Sequence, residues 1–354
     1  MTNQQIDSSS VVIIGGNISG LSCALELGKK GISTDLYETH IWDKPCGGGF
    51  GIHFAQMLKN DFNVDIPFRF VNDLIMATKY KKISVRIPLA IVSRKKLQEN
   101  LINHLKNKFS SVSIHLGRKV NFTKDFNNVF KKINVVATGV SGFSREALNK
   151  QLIDVGKFQY QLIQADSNIE NFDATIFYFL PKTKGYAWLF PAPEGKVDIG
   201  IGGLTKHVNW DKEFIGFYNW LKKNYDFDIR INKRSRSWGI PIPINKPGKI
   251  VHSNQGKLFI GIGDSIELPD ASTAAGIECA WNSGKLLGEA IESSNNVDLP
   301  KYASNLSKML KDSNITSSWS RFEARFVRHK VMFPLIFNLV PGKLVKMIYD
   351  NPNT

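Results

Sequence analysis

Gly15-Gly16-Asn17-Ile18-Ser19-Gly20 follows the apolar run Val11 to Ile14, and Glu38 closes a second run, Ser33 to Tyr37. Read in order, these residues are a strand, a glycine turn, a helix start, a second strand and an acid. A pyrophosphate would rest on the helix N-terminus, where backbone N–H groups lack intrahelical partners and the helix dipole favours negative charge. Glu38 stands about 20 residues after the turn, where an acid accepts hydrogen bonds from a ribose. Gly15, Gly16 and Gly20 keep side chains out of the turn, and Asn17 stands where the pattern has its middle glycine. Asparagine tolerates positive φ better than most residues, so the turn is expected to survive. The chemistry this predicts is binding of an adenine dinucleotide.

Other segments carry further candidates. Cys46-Gly47-Gly48-Gly49-Phe50-Gly51 puts four glycines in a short stretch, leaving backbone N–H groups free and letting the chain pass close to a flat ligand. Cys46 reads first as a small residue packed in a tight loop. Arg94 opens a helix predicted over 94–108 from the spacing of Leu97, Leu101, Ile102 and Leu105. A short buried strand at Val135 to Ala137 runs into Thr138 and Gly139. Gly261 to Ser265 places Gly263 and Asp264 after another buried strand. Asp264 can accept from hydroxyl groups, and a helix expected from Thr273 to Ile291, with Gly276 and Ile277 near its start, aims its positive end forward. Tyr186, Trp188 and Phe190 fall on one face of a strand that ends at Pro191, and Gly200 and Gly202 follow on the next. Such a face is either core packing or an apolar wall for a ligand.

The elements that must position these residues follow from periodicity. From 155 to 205 the pattern alternates with a period of two, through Phe158 to Leu162, Ala174 to Leu180, Gly185 to Pro191 and Val197 to Gly202, which predicts an antiparallel meander. Phe214, Ile215, Phe217, Tyr218 and Leu221 mark an amphipathic helix. The expected fold class is α/β: a discontinuous Rossmann-like nucleotide-binding domain (1–80, 94–150 and 251–295), an inserted antiparallel-sheet domain (81–93 and 151–250), and a C-terminal helical segment (296–354).

Length and composition narrow the function classes. The chain has 354 residues, 42% hydrophobic and 22% charged, which allows two domains with ordinary cores. No apolar run reaches the roughly 18 residues needed to cross a bilayer, and the first residues lack a signal-peptide core. A cytoplasmic protein is expected. Three cysteines suggest no disulfide framework, and seven histidines show no paired metal spacing, so no metal is expected. The net charge of +15 suits an anionic surface, substrate or partner. From Arg321 onward six basic residues are interleaved with Phe322, Phe326, Met332, Phe333 and Phe337. That mixture suits a membrane interface, and equally a helix packed on the body of the protein. No nucleic-acid motif appears.

Taken together, the glycine turn with Glu38, the PCGGG loop, Arg94, the YxWxFP and GxG strands, Gly239-Ile240-Pro241-Ile242-Pro243 and Gly263-Asp264 resemble the archaeal geranylgeranyl reductase family. That family lies within the para-hydroxybenzoate-hydroxylase-like flavoproteins. The resemblance covers about residues 10 to 295 and implies non-covalent FAD bound in an extended form. It implies an isoprenoid lipid substrate such as a digeranylgeranylglycerol phospholipid, whose C=C bonds are reduced. Tyr186, Trp188, Phe190 and Pro191 would then line the prenyl cavity, and Cys46 with Gly47 to Gly49 would lie by the isoalloxazine, which makes Cys46 the one candidate proton donor for the reduction. Electrons would come from reduced ferredoxin or from NAD(P)H, and the enzyme would work in the cytoplasm or peripherally on the cytoplasmic membrane face. The alternatives are an FAD monooxygenase or halogenase, and a flavin- or lipid-binding paralogue without turnover.

Overall fold

The computed structural model describes residues 10–41, 46–62, 66–150, 163–167, 169, 171–180, 182–203, 208–227, 229–234, 249–268, 276–294, 296–312 and 337–339. Their strands are β1 (Val11–Ile14), β2 (Thr34–Glu38), β3 (Gly49–Gly51), β4 (Arg69–Ala77), β5 (Lys82–Ile91), β6 (Val112–Leu116) and β7 (Ile133–Val136). They continue with β8 (Ile163–Ser167), β9 (Ala174–Leu180), β10 (Gly185–Pro191), β11 (Lys196–Gly202), β12 (Ile229–Arg234), β13 (Val251–Asn254) and β14 (Lys257–Gly261). The α-helices are α1 (Ile18–Lys29), α2 (Ile52–Phe62), α3 (Arg94–Lys108), α4 (Gly142–Ala147), α5 (Trp210–Tyr225), α6 (Ile277–Ala290) and α7 (Leu299–Asp312). The chain divides into two compact units, both discontinuous: Met1–Trp42, Gln98–Asp154 and Pro241–Arg321 form one, and Asp43–Leu97, Val155–Ile240 and Phe322–Thr354 the other.

The first unit is built on a six-stranded sheet of order β13-β14-β7-β1-β2-β6. All its neighbouring strands are parallel except the β13–β14 edge pair. Val11 to Ile14 and Ile133 to Val136 are buried throughout, as strands covered on both faces must be. Helix α6 packs against α1 through two glycines. A Cβ at Gly284 would lie 2.1 Å from Ser19 O, and one at Gly288 would lie 3.0 Å from Cys23 O. Ser22 Oγ donates to Trp281 O across the same contact (2.7 Å). The Rossmann-like parallel sheet predicted from the sequence is present.

The second unit holds an eight-stranded sheet of order β12-β8-β11-β10-β9-β4-β5-β3. Its pairs are antiparallel apart from β4 with β9. Helix α5 covers one face: Phe214, Phe217 and Leu221 pack with Ile176, Leu189, Ile199 and Ile201. Each such side chain contributes roughly 1.5–3 kcal/mol by leaving water.

Several expectations shift. β3 and β4, expected in the nucleotide-binding part, pair with β5 in the eight-stranded sheet, because the β4–β5 hairpin extends the meander rather than the parallel sheet. Ile215 was expected on the apolar stripe of α5 and is 55% exposed, since α5 buries Phe214, Phe217 and Leu221 instead. Helix α6 begins at Ile277 with Gly276 as its N-cap. Thr273, Phe158 to Leu162, Gly239 to Pro243 and, apart from 337–339, everything after residue 312 lie outside the described residues. Among the described residues no helix is long and apolar enough to cross a membrane.

Candidate functional site

In the first unit the glycine turn is built as its spacing demands. Gly15 has φ +107°, and a Cβ there would lie 2.4 Å from Ala137 O. A Cβ at Gly20, inside α1, would meet Gly15 O at 1.9 Å, so α1 starts in direct contact with the turn. Gly15 N–H donates to Tyr37 O (2.9 Å), and Gln98 Nε2 donates to Gly16 O (2.7 Å). Glu38 is buried. Its Oε2 accepts from Gly16 N–H (2.7 Å), and its Oε1 accepts from Thr39 N–H (2.7 Å) and Thr39 Oγ1 (3.0 Å). The acid thus braces the turn, and the second lone pair of Oε2 is where a ribose hydroxyl could donate.

Asn17 differs from expectation. Its φ is −95°, so no left-handed conformation is required. It serves as the N-cap of α1, and its Oδ1 accepts from Ile18 N–H (2.8 Å). An asparagine is stable here because N-cap geometry is extended and a side-chain acceptor relieves an orphan donor.

Thr138 Oγ1 accepts from Ser141 Oγ (2.8 Å). Gly139 has φ +62° and open space around it, its nearest neighbour being Asp264 Cβ, 3.8 Å from where a Cβ would stand. Gly263 N–H donates to Ser283 Oγ (2.9 Å), and a Cβ at Gly263 would lie 2.8 Å from Ser19 Oγ. The turn, Gly139, Gly263 and Asp264 therefore converge at the ends of β1, β7 and β14. Gly276 caps α6 without a side-chain hydrogen bond. Ser19, Gln98 and Ser283 also belong to this constellation. Ser19 lies inside the turn motif and Ser283 precedes a helical glycine in the segment that follows Asp264, whereas no local signal marks Gln98, which is brought in by packing.

In the second unit the PCGGG loop meets the aromatic strand. Cβ atoms at Gly47 and Gly49 would lie 2.6 and 2.8 Å from the Phe190 ring. Gly48 has φ +68° and accepts at its O from Val92 N–H (3.2 Å). Only glycines let this loop lie flat on Phe190. Cys46 is half-buried, and Arg94 Nη1 donates to its Sγ at 3.7 Å. Arg94 opens α3 and is itself buried.

Tyr186, Trp188 and Phe190 do share a face, and it is opposite to the α5 side. β10 pairs with β11 so that Tyr186 faces Gly202, Trp188 faces Gly200 and Pro191 faces Val197. A Cβ at Gly200 would lie 2.1 Å from the Trp188 ring, so Gly200 is the floor on which the indole lies. Phe177 on β9 adds its ring, 4.8 Å from Tyr186 and 5.7 Å from Phe190. Trp188 and Phe190 are buried, while Phe177, Phe179 and Tyr186 are half-buried. The aromatic face is continuous with Leu74, Met76, Ile83 and Val85. Phe177 and Phe179 are members that the YxWxFP motif alone does not reveal.

No family model matches the chain. A digeranylgeranylglycerophospholipid reductase from Thermoplasma acidophilum is 23% identical over 97% of this chain and 91% of its own length. The sequence resembles that reductase nearly from end to end. A second reductase of that name, from Thermoplasma volcanium, is 28% identical over 66% of this chain and 57% of its own. The resemblance holds in the fold. A geranylgeranyl bacteriochlorophyll reductase-like protein from Thermoplasma acidophilum superposes with TM-score 0.65 at 18% identity, covering 96% of this chain and 90% of that one. A probable FAD-dependent monooxygenase from Pseudomonas aeruginosa gives TM-score 0.64 at 13% identity, over 93% of this chain and 99% of that one. The chain thus shares its fold with both of these proteins.

Proposed function

We propose that this chain is an FAD-dependent reductase that saturates C=C bonds in the isoprenoid chains of membrane-lipid precursors. The observation that carries the reading is the seating of the glycine loop flat on Phe190, at one end of an aromatic face that continues through Phe177 and Tyr186. The end-to-end similarity to a digeranylgeranylglycerophospholipid reductase supports the substrate class.

The residues fit FAD. The cradle at Gly15 and Gly20 admits no side chain, Gly139 is open, and the start of α6 has no side-chain cap. Gly15, Gly16, Gly20 and the first turn of α1 would hold the pyrophosphate, Glu38 the ribose, and Asp264 with Thr138 and Gly139 the ribityl side. Gly263, Gly276 and Ile277 of the first unit, and Gly47 to Gly49 with Arg94 of the second, are the residues that the resemblance assigns to the flavin ring. Reduced FAD supplies a hydride. An isolated alkene has no carbonyl to delocalise charge, so the chain must hold it in reacting geometry, exclude water and deliver a proton. Tyr186, Trp188, Phe190 and Pro191 orient the apolar chain, with Gly200 and Gly202 giving the rings room. Cys46 holds a proton at Sγ for the second carbon, with Arg94 fixing that sulfur's position. Ferredoxin-type proteins or NAD(P)H would supply electrons, and the basic surface suits an acidic donor or lipid phosphate. Work at the cytoplasmic membrane face fits both the substrate and the basic tail.

The test is anaerobic. The flavin is reduced with dithionite, a geranylgeranylated phospholipid is added, and flavin absorbance and lipid mass are followed. Reoxidation with two mass units gained per double bond supports the reading. A flavin that stays reduced until air is admitted refutes it in favour of oxygen chemistry.

A further inference from the structure

The aromatic face has two ends, and the proposed reaction explains only the one at Gly47 and Gly49. Along β10, Phe190 and Tyr186 are separated by about 14 Å at strand rise. Tyr186 lies directly opposite Phe179 on β9. The Phe179 ring then meets Phe337, with ring centres 6.0 Å apart. Phe337 comes from the C-terminal part of the chain. It is only 6% exposed, among Leu74, Met76, Ile83 and Val85 of the β4–β5 hairpin. Its segment is clasped by polar contacts. Lys81 Nζ donates to Phe337 O (3.0 Å) and stands 5.8 Å from the centre of its ring. Thr78 Oγ1 donates to Asn338 Oδ1 (3.0 Å). A bulky ring at the far end of that apolar face, held by three such contacts, has the bulk and the anchoring of a stop.

We infer that Phe337 is the end wall of the isoprenoid track and sets the longest chain that the aromatic face accepts. The inference rests on the prenyl-reductase reading for its ligand, but it concerns length selection, which that reading leaves open. Replacing Phe337 by Ala removes a six-carbon ring, about the bulk of one five-carbon isoprene unit, and leaves a cavity beside the Phe179 ring.

The test uses the flavin-loaded full chain and needs no turnover. Isoprenoid alcohols of two, three, four and five units are titrated, with quenching of tryptophan emission as the readout. In the native protein each added unit tightens binding until the wall is reached, after which affinity stops rising. Phe337→Ala is expected to move that limit out by one unit, with about tenfold tighter binding of the first alcohol that exceeded it. Phe337→Trp is expected to move it inward. Phe337→Leu, with a smaller cavity, gives a partial shift should the alanine variant fold poorly. An unchanged length limit in both the alanine and leucine variants overturns the inference, as does a native protein with no length limit. The two proposals fail separately. A shifted limit without alkene reduction sinks the reductase and keeps the wall, whereas reduction with an unshifted limit sinks the wall alone.

Discussion

Asn17→Gly should tighten flavin binding while slightly weakening the fold. Ile18 N–H, at the first turn of α1, is one of the orphan donors that would otherwise face a bound phosphate. In this chain it donates to Asn17 Oδ1 at 2.8 Å. Glycine has no such acceptor, so the donor is released toward the anion. A hydrogen bond to a charged group contributes about 1.5–3 kcal/mol, and the loss of the cap to glycine costs only a few tenths. Allowing also for the greater freedom of glycine in the unliganded turn, the net gain is about 1–2 kcal/mol, or roughly five- to thirtyfold in Kd. Asn17→Asp gives the opposite sign. Aspartate caps as well as asparagine, so stability holds, but its charge sits against the pyrophosphate and affinity falls by tenfold or more. The assay is FAD titration into deflavinated protein by fluorescence quenching, alongside urea unfolding of each variant. If Asn17→Gly binds FAD no better than the native chain, the reasoning from the occupied Ile18 donor is wrong.

Cys46 should be the one labelled cysteine. Cys23 and Cys279 are buried, and burial, followed by the nearby Glu26 charge, pushes the Cys23 thiol far above its ordinary value. A raised thiol pKa keeps the unreactive protonated form as pH rises, so alkylation at pH about 9 adds no label at Cys23; mass spectrometry should find a single adduct, absent in Cys46→Ala. That variant should slow alkene reduction much more than it weakens FAD binding, and equal losses would make Cys46 structural. Thr175 is fully buried on β9, and among the described residues its Oγ1 has no hydrogen-bond partner. Thr175→Val should therefore stabilise the protein by about 1 kcal/mol in urea unfolding, and a loss of that size would mean the hydroxyl is satisfied. Gly200→Ala forces a Cβ into the Trp188 ring, 2.1 Å away. It should cost about 1–3 kcal/mol and shift tryptophan emission, and an unchanged spectrum would show that the indole does not rest on that glycine.

The parts of the site legible in the sequence are those whose geometry is local. The glycine turn and Glu38 are held by chain neighbours and one parallel strand pair, so spacing alone brings the acid to the turn, while its bond from Gly16 N–H is a finding of the fold. The face shared by Tyr186, Trp188 and Phe190 follows from the strand period, and their glycine floor from a short hairpin register. The errors arose where non-local pairing decided. Nothing in Arg69 to Ala77 says that this strand joins β9 in parallel across about a hundred residues, so the boundary at residue 80 could not be found by composition. The same is true of Gln98 on Gly16 and of Ser283 on Gly263.

Asn17 marks a different kind of limit. The sequence shows a departure from the glycine pattern and reads as an asparagine that tolerates positive φ, whereas the fold makes it an N-cap. The backbone dihedrals decide for the cap. That changes what the residue costs the site: the asparagine competes for a donor instead of straining the turn. Phe337 reverses the lesson. In the sequence it is one aromatic among many in a basic tail, equally at home on a membrane or on the protein. In the fold its ring is buried against Phe179, and its carbonyl is held by Lys81. At this one position, then, the tail is part of the protein's own apolar face, and any membrane contact must be made by other residues of the segment.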